Sequence, residues 1–227
     1  MKEFTFLMPC LNEERSLGFC IDEIKETIER LGLDAEILIA DNGSTDSSVE
    51  IARSKGARVA HIKDKGYGAA LLGGINAANG RYIIMADADG SYDFSHPELF
   101  IESLRDGYSL VVGNRFKGGI EKGAMPFSHR IGVPFLSTLA RWRFHAPIGD
   151  FHCGLRAFDT AYARKLNLAC PGMEFATEII AAFAADGARI REVPTVLRKD
   201  LRKGKPHLRT IRDGFRHLYY ICFKKTL

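Results

Sequence analysis

"RYIIMADADGSYDF", residues 81–94, is an apolar run that ends in carboxylates. Its first half, a short apolar stretch stopped by a turn signal, is the pattern of a buried strand. Asp87, Asp89 and Asp93 follow within seven residues. Carboxylates crowded at a strand end repel one another unless a cation is shared among them. The D-x-D spacing sets Asp87 and Asp89 on one side of an extended segment, because side chains alternate with period two. Oxygen ligands with no His or Cys nearby suit Mg2+ or Mn2+. Such an ion keeps waters and shares its other positions with substrate phosphates. The stretch therefore points to a metal-bridged pyrophosphate, although a lone D-x-D also describes a solvated turn.

Upstream, strand and helix patterns alternate. "FTFLMP" (4–9), "AEILIAD" (35–41) and "ARVAHI" (57–62) read as strands. Between the first two, Leu17, Cys20, Ile21, Ile24, Ile28 and Leu31 form a helical stripe that Gly32 ends. "STDSSVEIARSKG" reads as a short helix with Ser or Asp to cap it, and "YGAALLGGINAANG" as a small-residue helix able to pack closely on a sheet. Downstream come the helix "HPELFIESLRDG" and the strand "SLVVG". Strands joined by crossover helices imply an α/β fold with a mostly parallel sheet. The second half departs from this rhythm. Residues 115–130 are Gly-rich and basic and read as a mobile loop, followed by a helix from about Ser128 to Phe144. "GMEFATEIIAAFAADG" reads as a further helix and "ARIREVP" as the last strand.

Bulk properties bound the function. A chain of 227 residues with 46% hydrophobic and 26% charged residues is ordinary for a globular protein. Five cysteines without a C-x-x-C pair argue against a disulfide framework or zinc ribbon and for a reducing compartment. There is no signal-peptide pattern at the N-terminus, and no run of about 18 apolar residues. The expected location is cytoplasmic. Net charge is +4, yet residues 189–227 alone carry 12 Lys/Arg against 3 Asp/Glu. This asymmetry suits a phosphate group or phospholipid surface, with no nucleic acid partner expected. On a helical wheel for 209–223, Ile211, Phe215, Leu218 and Cys222 line one side and Arg209, Arg212 and Arg216 the other. Such a helix either rests peripherally on a membrane or packs on the core.

Three strands end in polar clusters: "PCLNEE", "DNGSTD" and "DADG". In a parallel sheet these meet at one edge, where α/β ligands bind. A Rossmann G-x-G-x-x-G and a P-loop are both missing. With "KGYGAAL", "VGNRF", "CGLRAF" and "RDGFRHL" in order, the chain resembles a family 2 glycosyltransferase of the GT-A fold from about Phe4 to Leu218. The similarity is greatest to the dolichyl-phosphate mannose and glucose synthase branch.

That resemblance implies one GT-A domain over 1–227, with a nucleotide-binding half to about 113 and an acceptor half from about 114. It implies a UDP- or GDP-hexose donor held by Pro9, Glu13, Asp41, Lys65, Gly66, Gly68, Asp87 and Asp89. Asp87 and Asp89 match the metal-binding D-x-D, and Ser91 stands where relatives place a Gln, so Ser91, Asp93 or water must complete the sphere. Arg115, Arg130 and Arg202, with Lys205 as a substitute, match phosphate-binding positions for a polyprenyl-phosphate acceptor. His207 is either a surface residue or a neighbour of the metal. Asp150 is an orienting residue or a base. A glycan or soluble hydroxyl acceptor would instead need a base near Asp150, or at Glu174 one turn from Glu178. A catalytically silent nucleotide-sugar-binding protein is the third reading, and the intact acidic loops count against it.

Overall fold

The computed structural model describes residues 2–202 and 210–224, with no side-chain description for 210–213. In the first half the alternation read from the sequence is present: β1 (Lys2–Cys10), α1 (Leu17–Leu31), β2 (Ala35–Asp41), α2 (Ser48–Ser54), β3 (Arg58–His61), α3 (Tyr67–Ala77), β4 (Gly80–Met85), α4 (Glu98–Arg105) and β5 (Leu110–Asn114). Apolar runs place β1, β2 and β4 in the sheet centre, where Phe4, Phe6, Leu7, Leu38, Ile83 and Ile84 are fully buried. Helix α1 buries Leu17, Cys20, Ile21 and Ile24, and Gly32 closes it in the left-handed conformation at φ 58°, which glycine adopts without a Cβ penalty. Helix α3 lies close on the sheet as its small residues suggest. A Cβ on Gly74 would come within 2.5 Å of Leu7.

The second half adds α5 (Arg115–Gly118), α6 (Phe127–Phe144), β6 (Arg156–Asp159), α7 (Thr160–Lys165), α8 (Phe175–Ala185), β7 (Ile190–Pro194) and α9 (Thr210–Phe223). The stretch read as a loop from 115 begins with the helical turn α5, and Ile120 then bridges Leu197. The sheet order is β3-β2-β1-β4-β6-β5-β7. Every pairing is parallel except those of β6, which runs antiparallel to both β4 and β5. The sequence reading assigned no strand here, because "RAFD" is too short to show a period. Its reversal matters for the site. The residues preceding β6 reach the same sheet edge as those following β1, β2, β4 and β5. Among the described residues no helix is long and apolar enough to cross a membrane.

Candidate active site

The loops after β1, β2 and β4 converge as a parallel sheet requires. Strands β1 and β2 pair in register to their last residues, Cys10 opposite Asp41. The two loops are then stitched together. The Glu13 N–H donates to Ser48 Oγ at 2.8 Å, and the Thr45 N–H donates to Asn12 Oδ1 at 2.8 Å. Asp41 is buried and accepts the Ser44 N–H at 3.0 Å and the Gly43 N–H at 3.3 Å, with His61 Nδ1 at 3.1 Å. Burial raises its carboxyl, but these hydrogen bonds outweigh it and hold Asp41 below the usual range. Pro9 sits opposite Ala40 within the sheet. Lys65 donates from Nζ to the Asn42 carbonyl at 2.7 Å. The glycines of "KGYG" meet backbone: a Cβ on Gly66 would lie 2.2 Å from the Pro171 oxygen, and one on Gly68 2.1 Å from the Cys170 oxygen.

The opening cluster of carboxylates divides into two groups. Asp93 pairs with Arg198 at 2.6 Å and accepts the Ser95 N–H at 2.8 Å. It therefore serves the strap formed by residues 197–202 rather than the D-x-D. That strap crosses the loop through backbone bonds, Arg198 N–H to the Ser91 carbonyl at 2.8 Å and Leu201 N–H to the Asp89 carbonyl at 2.9 Å. Ser91 is buried, and its N–H donates to Asp89 Oδ1 at 2.9 Å. Arg202 ends the described part of the strap. Its guanidinium binds Asp89 at 2.8 Å, Glu13 at 3.0 Å and Asp200 at 2.6 Å.

This arrangement tests the expected cation site. A guanidinium lies between Glu13 and Asp89, so the pocket already gathers positive charge at the D-x-D. Burial, with the charge of Asp89 opposed by Arg202, raises Glu13 to about 7. Enclosure by protein and the Asp89 charge also raise Asp87, against the hydroxyl of Tyr67, which lowers it. In both, burial and the neighbouring Asp89 charge outweigh the cationic help that Arg202 gives. The donor set fits Mg2+ or Mn2+. Among the described residues no three His, Cys, Asp or Glu side chains form a metal group.

Of the residues expected to face the acceptor, Asp150 and Arg115 form a second cluster. Asp150 has no solvent exposure. It accepts the backbone N–H of Arg115 at 3.2 Å and its Nε and Nη2 at 2.8 Å each. Burial works against the Arg115 charge, yet Tyr92 and Asp150 hold the guanidinium firmly protonated. The turn is fixed from behind, since Glu192 of β7 accepts the N–H groups of Gly149 at 2.6 Å and Asp150 at 3.1 Å. Arg130 is exposed in the first turn of α6. Its neighbour His129 is lowered by burial and then by the charge of Arg115, which links that turn to the Arg115 cluster. Glu178 accepts the N–H groups of Ala169 at 3.1 Å and Cys170 at 2.8 Å. Glu174 pairs with Arg216 of α9 at 2.8 Å. Lys205 and His207 lie outside the described residues.

Some contributors were not legible in the sequence. Gly154 lets β6 approach the D-x-D, since a Cβ there would lie 2.9 Å from Asp87 Oδ2 and 2.9 Å from the Tyr92 ring. The Gly154 N–H donates to the Tyr92 hydroxyl at 2.7 Å. Arg156 is fully buried and donates to the carbonyls of Cys153, Ala176 and Phe151 at 2.7–2.8 Å, which sets the shape of the "CGLRAF" turn. The motif was the available signal; its buried arginine could not be told from a phosphate ligand.

The sequence profile of Glycosyl transferase family 2 matches residues 5–166. The chain is a family 2 glycosyl transferase. It is 35% identical over 217 residues to the low-salt glycan biosynthesis hexosyltransferase Agl6 of Haloferax volcanii, covering 95% of this chain and 52% of Agl6. The chain thus spans about half the length of that relative. It is 28% identical to the dolichyl-phosphate hexose transferase of Haloferax volcanii, covering 100% of this chain and 99% of that protein. Among solved structures, glucosyl-3-phosphoglycerate synthase from Mycobacterium tuberculosis, in complex with Mn2+, UDP and phosphoglyceric acid, superposes with a TM-score of 0.72. It is 24% identical, covering 98% of this chain and 79% of that one. This likeness concerns the GT-A fold, which this family 2 glycosyl transferase shares.

Proposed function

We propose that this family 2 glycosyl transferase moves a hexose from a UDP- or GDP-sugar to a polyprenyl or dolichyl phosphate, with inversion. One observation carries the donor half of the reading. Glu13 and Asp89, from two different strand ends, close on a single cation, the Arg202 guanidinium. Asp41, Lys65 and the loops around them would hold the nucleotide. Asp87 and Asp89 would hold Mg2+ or Mn2+, which when bound neutralises charge developing on the leaving diphosphate. Ser91 is placed to orient Asp89 through its N–H.

The acceptor half follows from what the carboxylates are doing. A hydroxyl acceptor needs a base, whereas a phosphate monoester, with a second pKa of about 6, is already largely dianionic at neutral pH. Asp150 is enclosed and bonded through both oxygens to Arg115. It is placed to position Arg115 rather than to take a proton. Arg115, Arg130 and Arg202 would hold the anionic nucleophile in line. A phosphate oxygen then bonds to the anomeric carbon as its bond to the nucleoside diphosphate breaks. The full-length similarity to a dolichyl-phosphate hexose transferase supports this acceptor class.

Calorimetric titration of UDP and GDP, each with and without Mn2+, tests the donor assignment. Micromolar, Mn2+-dependent binding of one nucleotide is expected; failure of both nucleotides to bind refutes it. Transfer to a water-soluble short-chain isoprenyl phosphate tests the acceptor. Transfer to a sugar hydroxyl with none to the phosphate would establish the hydroxyl-acceptor reading instead.

A further inference from the structure

We infer that α6 and α9 together form a docking face for an anionic lipid bilayer. Large apolar side chains left in water are normally scattered, but here they are concentrated. On α6, Phe127, Ile131, Phe135 and Trp142 are 60–77% exposed. Their spacing sets them along one side, while Ser137, Ala140 and Phe144 face the core. On α9, Phe215, Tyr219 and Phe223 are 60–72% exposed, one turn apart, while His217, Tyr220 and Ile221 are buried. Elsewhere among the described residues no large apolar side chain exceeds 48% exposure. The two helices pack on one another through their buried sides, with Phe144 and Tyr220 rings 6.2 Å apart, and each keeps its apolar stripe in solvent.

Charge decides the occupant. Helix α6 carries Arg130, Arg141 and Arg143 and no Asp or Glu, and Lys224 follows α9. Aromatic side chains interleaved with arginines match the headgroup level of a membrane, where rings sit at the acyl boundary and cations meet anionic lipid. A second copy of this chain would bring like charges together across the face. The placement deepens the polyprenyl-phosphate reading and rests on it for its purpose. The same helix that offers Phe127 and Ile131 carries Arg130, so a docked enzyme would present its acceptor-side cations to the headgroup plane. The stripe on α9 is wider than the wheel over 209–223 suggests, and α6 was invisible as a partner because its Arg residues interrupt the pattern.

Trp142 is the only tryptophan of the chain and stands 75% exposed within the face, so the unmodified protein carries its own reporter. Its emission is expected to shift to the blue on addition of phosphatidylcholine–phosphatidylglycerol vesicles, and to be quenched by lipids brominated on the acyl chains. Vesicles of phosphatidylcholine alone should give a much weaker response. Replacing Arg141 and Arg143 by Gln should reduce partitioning about thirty-fold, at about five-fold per cation. Phe127→Ser with Phe135→Ser should reduce it further with the fold intact by circular dichroism. No shift and no quenching with either vesicle would overturn the inference. A concentration-dependent blue shift without lipid would overturn it in favour of a second copy. Nucleotide binding with Mn2+ is measured on the same sample without vesicles, so failure of docking is separable from failure of the donor assignment.

Discussion

The ion pair of Asp150 with Arg115 distinguishes structural support from direct chemistry, and one substitution separates them. Asp150→Ala removes a fully buried carboxylate and leaves Arg115, itself 8% exposed, without its bidentate partner. Breaking a buried ion pair from one side costs about 3–5 kcal/mol, because the remaining charge is stranded in a medium that solvates it poorly. In a chain of this size each kcal/mol moves Tm by about 2–4 °C, so a fall of roughly 6–20 °C is expected. Asp150→Asn keeps the shape and one acceptor oxygen and should fall by less. The double variant Asp150→Leu with Arg115→Met removes both charges, and its loss should be below that of Asp150→Ala alone, because no charge is left stranded. Differential scanning calorimetry reads all four proteins, with transfer measured at a temperature where each is folded. If Asp150→Ala melted within about 2 °C of the parent while losing all transfer, the carboxylate would be acting on the substrate, and the positioning role assigned to it would be wrong.

Asp89→Ala should abolish Mn2+-dependent transfer and Mn2+-dependent nucleotide binding together, and retained metal-dependent turnover would remove the metal assignment. Arg130→Ala should raise KM for a polyprenyl-phosphate acceptor about tenfold or more, the loss of one charge-assisted contact, with little change in Tm because the side chain is exposed; unchanged KM contradicts the phosphate-acceptor reading. Gly154→Ala would push against Asp87 and the Tyr92 ring at 2.9 Å, costing about 1–3 kcal/mol and weakening Mn2+ binding measured by calorimetry. His152 is held well below its usual pKa by burial, then by the charges of His217 and Arg115. It stays neutral in the fold but protonates near pH 6.5 when unfolded, so stability should fall as pH drops below about 6.5, by up to about 1.4 kcal/mol per pH unit. A His152→Gln variant should flatten that slope in pH-dependent denaturation, and an unchanged slope would assign it to other groups.

The donor half was legible because its physics is local. Apolar runs mark β1, β2 and β4, and a parallel sheet forces their polar ends to one edge, so the sequence alone brings Glu13, Asp41 and Asp89 together. What stayed hidden depends on long-range contacts. The sequence offered Asp93 and Ser91 equally to the D-x-D, and only the strap shows Asp93 spoken for by Arg198, a residue 105 positions away. Arg115 reads as an isolated cation until Asp150 is seen holding it in place. The strand β6 could not be foreseen, since four residues carry no periodicity and its direction is set by partners on both sides.

That reversed strand has a consequence for how the enzyme can diversify. Strands β5 and β6 are hydrogen-bonded neighbours of opposite direction, so everything from Arg115 to Leu155 is topologically one oversized hairpin connection. Its ends are pinned side by side whatever lies between them. The closure cost of such a connection rises only with the logarithm of its length. The segment holding Arg115, Arg130, α6 and Asp150 can therefore be lengthened, shortened or exchanged without re-registering β1, β2 and β4, which end in the loops of Glu13, Asp41 and the D-x-D. On the proposed function the architecture would be a fixed donor platform with a replaceable acceptor cassette, and transplanting residues 115–155 between relatives is the cut the sheet itself marks out.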